Sequence, residues 1–289
     1  MPDHQKAHVT ACPIGCMAPL AVTDIVLPEG PLLRCTECGQ LVSQVSTARY
    51  WETMAQFDHT DFNQPGPREL SRRFNIARRR LRAITVLLGK QSHDIRLIDV
   101  GCSRGQFVAA ACRLGFNAEG VEPAPHIAAA AQAAGLKVHQ GLLEDLHFPD
   151  ASFDVLTLFE VVEHLKQPLE LLRECRRVLK PGGMLLISTV NTASWTMAAM
   201  KDRWDYFHID KDSGHISFFN PRSMRMLAER CGFALQNVAT RNVRFFEKGD
   251  VPAVLYRSAK IAAELLNFPA QLFGKGHEML AYLRRPAGS

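Results

Sequence analysis

The chain has 289 residues, of which 47% are hydrophobic and 22% charged, a balance that supports one large core with a small appendage. It contains no apolar run of about 18 residues, the length that crosses a bilayer, and its first residues lack the apolar segment of a secretory signal. We therefore expect a cytoplasmic protein without a transmembrane segment, whose eight cysteines stay reduced rather than forming disulfides.

Four cysteines near the N-terminus form two close pairs separated by 18 residues: Cys12, Cys16, Cys35 and Cys38. This spacing is typical of a zinc ribbon, in which four thiolates surround one Zn²⁺ ion as a tetrahedron. Gly39, directly after the last cysteine, suits the tight turn of such a site. Four unrelated cysteines, or a redox pair at Cys35 and Cys38, are the alternatives. The pattern predicts a ribbon over residues 1–50 with a structural zinc, because four thiolates leave no open position for catalysis.

An arginine-rich segment follows at residues 68–82, with seven arginines and one glutamate. The net charge of the chain is +5, so the +6 of this segment leaves −1 for all other residues. Such a segment can bind RNA or an anionic membrane surface. Its apolar residues recur at helical spacing, however, which favours an amphipathic helix whose arginines face solvent. We expect a helical linker over residues 51–93 that carries this helix.

From residue 94 the chain alternates strand-like and helix-like segments, which predicts an α/β domain over residues 94–289. Its mostly parallel sheet is expected to carry helices on both faces. Strands are predicted at 95–100, 117–121, 136–139, 153–159, 184–190, 233–243 and 277–284. Helices are predicted at 105–114, 125–134, 166–179, 221–231 and 252–266. We expect the last two strands to pair antiparallel at the sheet edge.

The segment LIDVGCSRGQF, residues 97–107, leads from a predicted strand through a glycine turn into a helix. Turns of this kind often bind a dinucleotide through glycines at fixed spacing. A fingerprint anchored on Gly101 needs glycine two and five residues later, where this chain has Ser103 and Gln106. The turn therefore does not match a dinucleotide site.

The turn instead combines an acidic residue, Asp99, with Gly101 and Gly105, which let a ligand approach the backbone closely. A carboxylate here would repel a pyrophosphate but can bind an ammonium group. At the end of the next predicted strand, Glu122 is placed to accept hydrogen bonds from both hydroxyls of a ribose. An amino acid joined to adenosine satisfies both requirements, which indicates S-adenosylmethionine.

Four sequence blocks occur in a characteristic order: LIDVGCSRGQF, GVEP, EDLHFPDASFDVLTLFEVVEHL and RECRRVLKPGGMLLIST. In this order they resemble the class I S-adenosylmethionine-dependent methyltransferases, over roughly residues 78–285. The resemblance implies a Rossmann-like sheet of seven strands. It also implies a set of cofactor contacts: Asp99, Gly101, Cys102, Gly105, Glu122, Leu143, Glu144, Phe159 and Glu160.

The adenine-binding loop departs from the family pattern. Relatives often carry an acidic residue directly after the glycine, where this chain has Leu142 and Leu143 after Gly141. We expect Glu144 or Asp145 to bind the adenine amino group instead. In the glycine turn, the backbone amide of Cys102 is the expected contact.

Methyl transfer is an in-line displacement, so the protein contributes mainly by aligning donor and acceptor. A hydroxyl or acidic C–H acceptor also needs a base. Residues 191–220 are rich in aromatic side chains, which suits an acceptor pocket or lid beyond the fifth strand. The candidate catalytic residues there and in VVEHL are His215, His208 and His164. For His215 and His164 the alternative is a structural role in which the ring holds its loop by hydrogen bonds.

The predicted helix 252–266 is amphipathic. Packing on the sheet or a dimer contact is the favoured role, and peripheral contact with a membrane is the alternative; we expect a monomer or a homodimer. A ribbon joined to this domain resembles bacterial enzymes that methylate small molecules such as sugars and envelope or natural-product precursors. The alternative functions are an RNA (rRNA) methyltransferase and a non-catalytic S-adenosylmethionine-binding module.

Overall fold

The computed structural model describes residues 6–59, 66–209, 214–247 and 249–288. The predicted linker therefore has one stretch, residues 60–65, outside the described part. The strands of the described part are β1 (Leu20–Leu27), β2 (Gly30–Cys35), β3 (Leu41–Val42), β4 (Arg96–Val100), β5 (Asn117–Glu122), β6 (Val138–Gln140), β7 (Phe153–Phe159), β8 (Leu179–Val190), β9 (Ser217–Phe218), β10 (Ala234–Arg241) and β11 (Glu278–Arg284). Its helices are α1 (Thr47–His59), α2 (Pro67–Leu88), α3 (Gln106–Arg113), α4 (Pro125–Ala133), α5 (Pro168–Val178), α6 (Trp195–Met200), α7 (Pro221–Arg230) and α8 (Ala253–Leu272).

A seven-stranded sheet forms the centre of the molecule, in the order β10-β11-β8-β7-β4-β5-β6. Strands β4 to β8 are parallel to one another, and β11 runs antiparallel to both β8 and β10. The predicted Rossmann-like sheet is confirmed, with its antiparallel strand lying one position inside the edge. The order of the strands along the chain reverses between β4 and β7, because β5 and β6 are added on one side of β4 and β7 and β8 on the other. Ligands of such sheets bind beyond the carboxyl ends of the strands at this switch point.

Helices cover both faces of the sheet because each carries an apolar stripe. In α5 the buried positions follow helical spacing, for example Leu171, Cys175 and Val178. One apolar cluster joins the sheet to α5 and α7, and a second joins its other face to α2, α3 and α4. The two clusters fix the carboxyl ends of β4, β5 and β7 side by side.

The N-terminal strands form a second sheet in the order β1-β2-β3-β9. Its last strand comes from the far half of the chain: Leu41 pairs with Phe218 and Val42 pairs with Ser217. The Gln40 side-chain amide also donates to Ser217 Oγ at 2.7 Å. The ribbon and the segment that precedes α7 are thus parts of one sheet.

The two amphipathic segments behave differently in the structure. Helix α2 buries Ala77, Leu81 and Ile84 against the core, as its apolar spacing predicts. Helix α8 buries only Ala263 and Ala270, and its large apolar side chains face solvent. The helix contacts β10 at the edge of the sheet, as the sequence pattern favours, but through its small residues and Leu266 rather than through most of its large apolar side chains. Among the described residues, no helix has the length and apolar character to span a bilayer.

Candidate functional site

The four predicted metal ligands lie together within the ribbon. The Sγ atoms of Cys12, Cys16, Cys35 and Cys38 are all within 4.8 Å of one another, and all four residues are buried. Gly39 adopts φ 73°, the left-handed conformation expected of the turn after Cys38. A tetrahedron of Zn–S bonds of about 2.3 Å has sulfur–sulfur edges of roughly 3.8 Å, close to the 3.5 Å between Cys12 and Cys38. The donor set therefore fits a structural zinc ion.

The glycine turn lies at the switch point of the large sheet. Asp99, near the end of β4, is buried and accepts a hydrogen bond from Thr157 Oγ1 at 2.5 Å. Burial raises its pKa to about 7, and the Thr157 hydrogen bond opposes this shift. Gly101 has φ 72°, and a Cβ there would lie 2.6 Å from Val161 Cγ2. A side chain at this position would therefore collide with the loop after β7.

Glu122 ends β5 beside this turn. Its two carboxylate oxygens accept from the backbone N–H groups of Ser103 and Ala124, each at 2.9 Å. The carboxylate thus ties the glycine turn to the loop after β5, in addition to the ribose contact that the sequence predicts. The Cys102 amide, the predicted cofactor contact, donates to Val121 O at 3.0 Å. In this arrangement it is engaged within the protein.

In the loop predicted to surround adenine, the two expected cofactor contacts, Leu143 and Glu144, differ in exposure. Leu143 belongs to the apolar core, whereas Glu144 is exposed. The sequence placed both residues beside adenine but did not predict that Leu143 points into the core and Glu144 toward solvent.

A half-buried arginine of α2, Arg80, reaches the same region, and the sequence did not predict it. The Arg80 guanidinium lies 4.3 Å from the centroid of the Phe159 ring, which also packs edge-on against Phe107. Arg80 lies close enough to Asp99 to lower its pKa electrostatically. The available signal was its place on the apolar side of α2, three residues after Ala77.

Beyond β7, two glutamates and a tyrosine form a cluster of hydrogen-bonding groups. Tyr206 OH donates to Glu163 Oε1 and lies 3.4 Å from Glu160 Oε2. Ser188 Oγ donates to Glu160 Oε1 at 3.0 Å. Burial raises the pKa of both carboxyl groups, that of Glu163 furthest. Two adjacent carboxyl groups are disfavoured from both carrying a negative charge, so one of them holds a proton. We assign this proton to Glu163, whose pKa is raised furthest, and Glu160 is then the ionised member of the pair.

Glu160 differs from Glu163 in exposure and backbone geometry. Glu160 is accessible to solvent at the end of β7, although surrounding protein partly desolvates its carboxyl group, whereas Glu163 is fully buried. Glu160 also has φ 55°, a left-handed conformation that non-glycine residues rarely adopt and that is common at functional sites. The strained residue therefore presents a carboxylate at the end of β7.

The predicted catalytic histidines lie behind this cluster. His215 is buried, its ring centroid is 4.0 Å from that of Tyr206, and its Nδ1 lies 3.1 Å from Tyr206 O. The His164 ring centroid is 4.7 Å from that of His215. Burial lowers the pKa of His215 to about 3 and that of His164 to about 4, so both rings are neutral. The third candidate, His208, places Nε2 2.7 Å from Asp202 O.

A cavity of about 290 Å³ lies between α2, α8 and the loop after β10. Glu278, which lines it, pairs with Val190 at the carboxyl end of β8. The cavity therefore opens at the same edge of the sheet as the glycine turn. Side chains of both charge signs and aromatic rings line it, including Arg72, Arg244, Phe245, Tyr256, Lys260 and Glu278.

Comparison with known proteins gives a family and several relatives. A family model described as a methyltransferase domain matches residues 71–238. A ubiquinone biosynthesis O-methyltransferase of Cereibacter sphaeroides is 35% identical over 147 residues, which are 48% of this chain and 60% of the relative. The enzyme of the same name from Xanthomonas axonopodis pv. citri is 30% identical over 154 residues, 50% of this chain and 64% of the relative. The chain thus spans less than two thirds of these curated relatives.

Solved structures agree with this fold. An S-adenosylmethionine-dependent methyltransferase of Thermotoga maritima aligns with a TM-score of 0.53 at 22% identity, covering 81% of this chain and 99% of its own. A methyltransferase of Archaeoglobus fulgidus aligns with a TM-score of 0.51 at 18% identity, covering 73% and 94%. At these identities the similarity concerns the fold.

Proposed function

The chain belongs to the methyltransferase-domain family, and we propose that it transfers a methyl group from S-adenosylmethionine to an oxygen atom of a small-molecule acceptor. The observation that carries this proposal is the buried Asp99 beside the positive-φ turn of Gly101, at the switch point of the sheet. The relatives named O-methyltransferase support oxygen as the acceptor atom. The narrower expectation of a sugar or of an envelope or natural-product precursor stays a prediction.

The residues around the turn divide the binding of the cofactor. In this proposal Asp99 binds the ammonium group and Arg80 the carboxylate of the amino-acid part, so that opposite charges meet in pairs. Glu122 binds the ribose, and the loop of Leu143 and Glu144 lies along adenine. The cofactor supplies a methyl group activated by sulfonium, and Phe159 closes the pocket beside it.

Glu160 is the base in this proposal. It is the exposed and ionised member of a carboxyl pair, and its raised pKa brings it closer to the operating pH, as general-base catalysis favours. Ser188 donates to Glu160 Oε1 and thereby orients the carboxylate. His215 and His164, buried and neutral, position Tyr206 and the loop after β7, which is the structural role that the sequence left open for them.

The ribbon cysteines hold a structural zinc ion in this proposal. The ion joins the two cysteine pairs and thereby holds β2 and β3, onto which β9 pairs. The ribbon thus supports the acceptor side of the cleft rather than the reaction itself.

A transfer assay tests the function. The full chain is incubated with methyl-labelled S-adenosylmethionine in two parallel reactions, one containing a small-molecule extract and the other containing total RNA. We expect label in the small-molecule fraction. Label in RNA at low salt, lost steeply as salt rises, would support the RNA alternative instead. Binding of adenosylhomocysteine without transfer to either fraction would indicate a non-catalytic module.

A pair of neighbouring arginines provides a matched test of the pocket. Arg80→Ala should weaken adenosylhomocysteine binding by about tenfold, the scale of one charged hydrogen bond. Arg79→Ala, which changes an exposed arginine of the same helix, should leave binding unchanged. Equal affinities for the two variants would remove Arg80 from the pocket.

A further inference from the structure

Helix α8 carries a large exposed apolar surface, which we call the α8 face. It consists of Val254, Leu255, Ile261, Leu265, Phe268, Leu272 and the adjacent Phe273, with exposed fractions from 49% to 78%. These are seven of the 15 large apolar side chains that are exposed in the described part of the chain. The other eight are scattered over distant segments. Contiguous apolar surface of this kind marks an interaction site.

The orientation of α8 is set by its small residues. At 3.6 residues per turn, the α8 face spans an arc of about 140°. The opposite side packs through Ala263 and Ala270, with Leu266, against Val243 and Phe245. A helix that serves only the core turns its large apolar residues inward. Here small residues face the protein and most of the large ones face outward, so the exposed apolar stripe runs along the helix from Val254 to Leu272.

Basic residues border the α8 face. The described residues between 241 and 275 include five lysines and arginines and three acidic residues. On α8 itself, Arg257 and Lys260 are exposed on the polar edge beside the stripe together with Glu264, so this edge has a net charge of +1. Lys260 and Arg72 line the same cavity, so the arginine-rich start of α2 lies next to this edge. The surface therefore combines a projecting apolar stripe with a positive border.

This combination decides between two occupants. A second copy of the chain, bound through the same face by a twofold axis with the two α8 helices antiparallel, would bring two net-positive edges together, which is unfavourable. An anionic bilayer attracts the same border and accepts leucine and phenylalanine side chains at its interface. We propose that the α8 face docks the protein onto the surface of a membrane that contains anionic lipids.

Docking in this orientation has a consequence for the cleft. One side of α8 lines the 290 Å³ cavity through Tyr256, Lys260 and Asn267, and the α8 face lies on another side. A protein held by this helix would keep the cavity close to the lipid head groups. The inference does not depend on the proposed methyl transfer, because binding to lipid is measured without a reaction.

Vesicle sedimentation tests the proposal with the full chain. Vesicles of phosphatidylcholine alone are compared with vesicles in which one third of the lipid is phosphatidylglycerol, at low and high salt. We expect binding to the anionic vesicles, weakened by salt and by the charge-removing pair Arg257→Gln and Lys260→Gln. Leu265→Glu with Phe268→Glu should reduce the partition coefficient by about tenfold or more.

The control is Val22→Glu, which adds one negative charge, as each of the two α8 substitutions does, at an exposed apolar residue of β1. It should bind vesicles as the unchanged protein does. Melting temperature and adenosylhomocysteine titration, measured on every variant, report whether the fold is intact. Absence of vesicle binding, equal binding to both vesicle types, or equal losses in Val22→Glu would overturn the proposal. So would a lipid-free dimer that Leu265→Glu dissociates, since the face would then serve a second copy.

Discussion

The two sides of the cleft are assembled from the sequence in different ways. The proposed cofactor side takes Asp99, Gly101, Glu122 and Phe159 from the carboxyl ends of three neighbouring strands, β4, β5 and β7, of one sheet. The acceptor side combines distant parts of the chain. Tyr206 bonds to Glu163, the Tyr50 hydroxyl donates to His164 O at 2.9 Å, and a ribbon strand pairs with β9.

This difference separates what each side depends on. The cofactor side follows from the strand order and from local turn geometry, so it requires only the large sheet. The acceptor side also requires the second sheet, whose first three strands lie next to the cysteine cluster. We therefore expect changes in the ribbon to damage acceptor binding more than cofactor binding, and changes in the glycine turn to do the opposite.

The largest expected effect is that of removing the metal. Cys35→Ser leaves three thiolates, and a structural zinc site in an isolated zinc-finger peptide supplies about 10–16 kcal/mol at neutral pH. We expect loss of zinc, faster proteolysis within residues 10–45 and loss of methyl transfer, while adenosylhomocysteine still binds. Metal analysis, limited proteolysis and calorimetry measure these three quantities.

Cys112→Ser is the control for this substitution, because Cys112 is an exposed cysteine of α3, outside the cluster. It should keep the metal and the activity. If Cys35→Ser lost cofactor binding as completely as methyl transfer, the two sides of the cleft would not be separable. A native protein without zinc would contradict the ribbon.

Glu160→Gln should give the next largest effect. General-base catalysis contributes about 10²- to 10⁴-fold, so kcat should fall by that order while the affinity for adenosylhomocysteine changes little. The matched control is Glu229→Gln, an exposed glutamate of α7. The measurement is kcat and cofactor Kd across pH for both variants. A kcat within about threefold of the unchanged protein would exclude Glu160 as the base.

Asp99→Asn should weaken cofactor binding by about 10- to 100-fold, since one hydrogen bond to a charged group contributes roughly 1.5–3 kcal/mol. Its pH dependence has a definite sign. Burial raises the pKa of Asp99 to about 7, so the stability that this group contributes to the free protein is present at acid pH and lost as pH rises through 7. Bound ammonium favours the carboxylate, and affinity should therefore rise between about pH 5 and pH 8.

Calorimetry over this pH range provides the measurement. The Asn variant should show a flatter profile, because it has no proton to release at this position. A profile for the unchanged protein that is level from pH 5 to pH 8 would show that Asp99 is ionised before the cofactor binds. In that case the carboxylate would not be the site of pH sensitivity.

The parts that the sequence predicted are those built from local signals. Apolar periodicity located the strands and helices of the large sheet, and the glycines of LIDVGCSRGQF located the turn, where Gly101 and Gly105 adopt positive φ. The spacing of the cysteines correctly predicted that the four Sγ atoms lie together. Each of these signals lies within a short segment, or within a repeated spacing whose geometry is known in advance.

The parts that the sequence did not predict depend on contacts between distant segments. Nothing near Glu163 indicates that Tyr206 will donate to it, and nothing near Leu41 indicates that Phe218 will pair with it. For α8, amphipathic spacing gave the helix but not which stripe faces the protein. Two alanines and Leu266, rather than the seven residues of the α8 face, make that contact.

The smallest expected effect is that of His215→Asn, although the aromatic segment made this histidine the first candidate for catalysis. Its ring is buried against Tyr206, and burial lowers its pKa to about 3, which makes it a weak base. An asparagine amide can replace the contact with Tyr206 O, so we expect kcat within about threefold and a modestly lower melting temperature. A loss of kcat comparable to that of Glu160→Gln, at an unchanged melting temperature, would instead assign the proton transfer to His215. The acceptor side would then contain its own base, contributed by the segment that the ribbon supports.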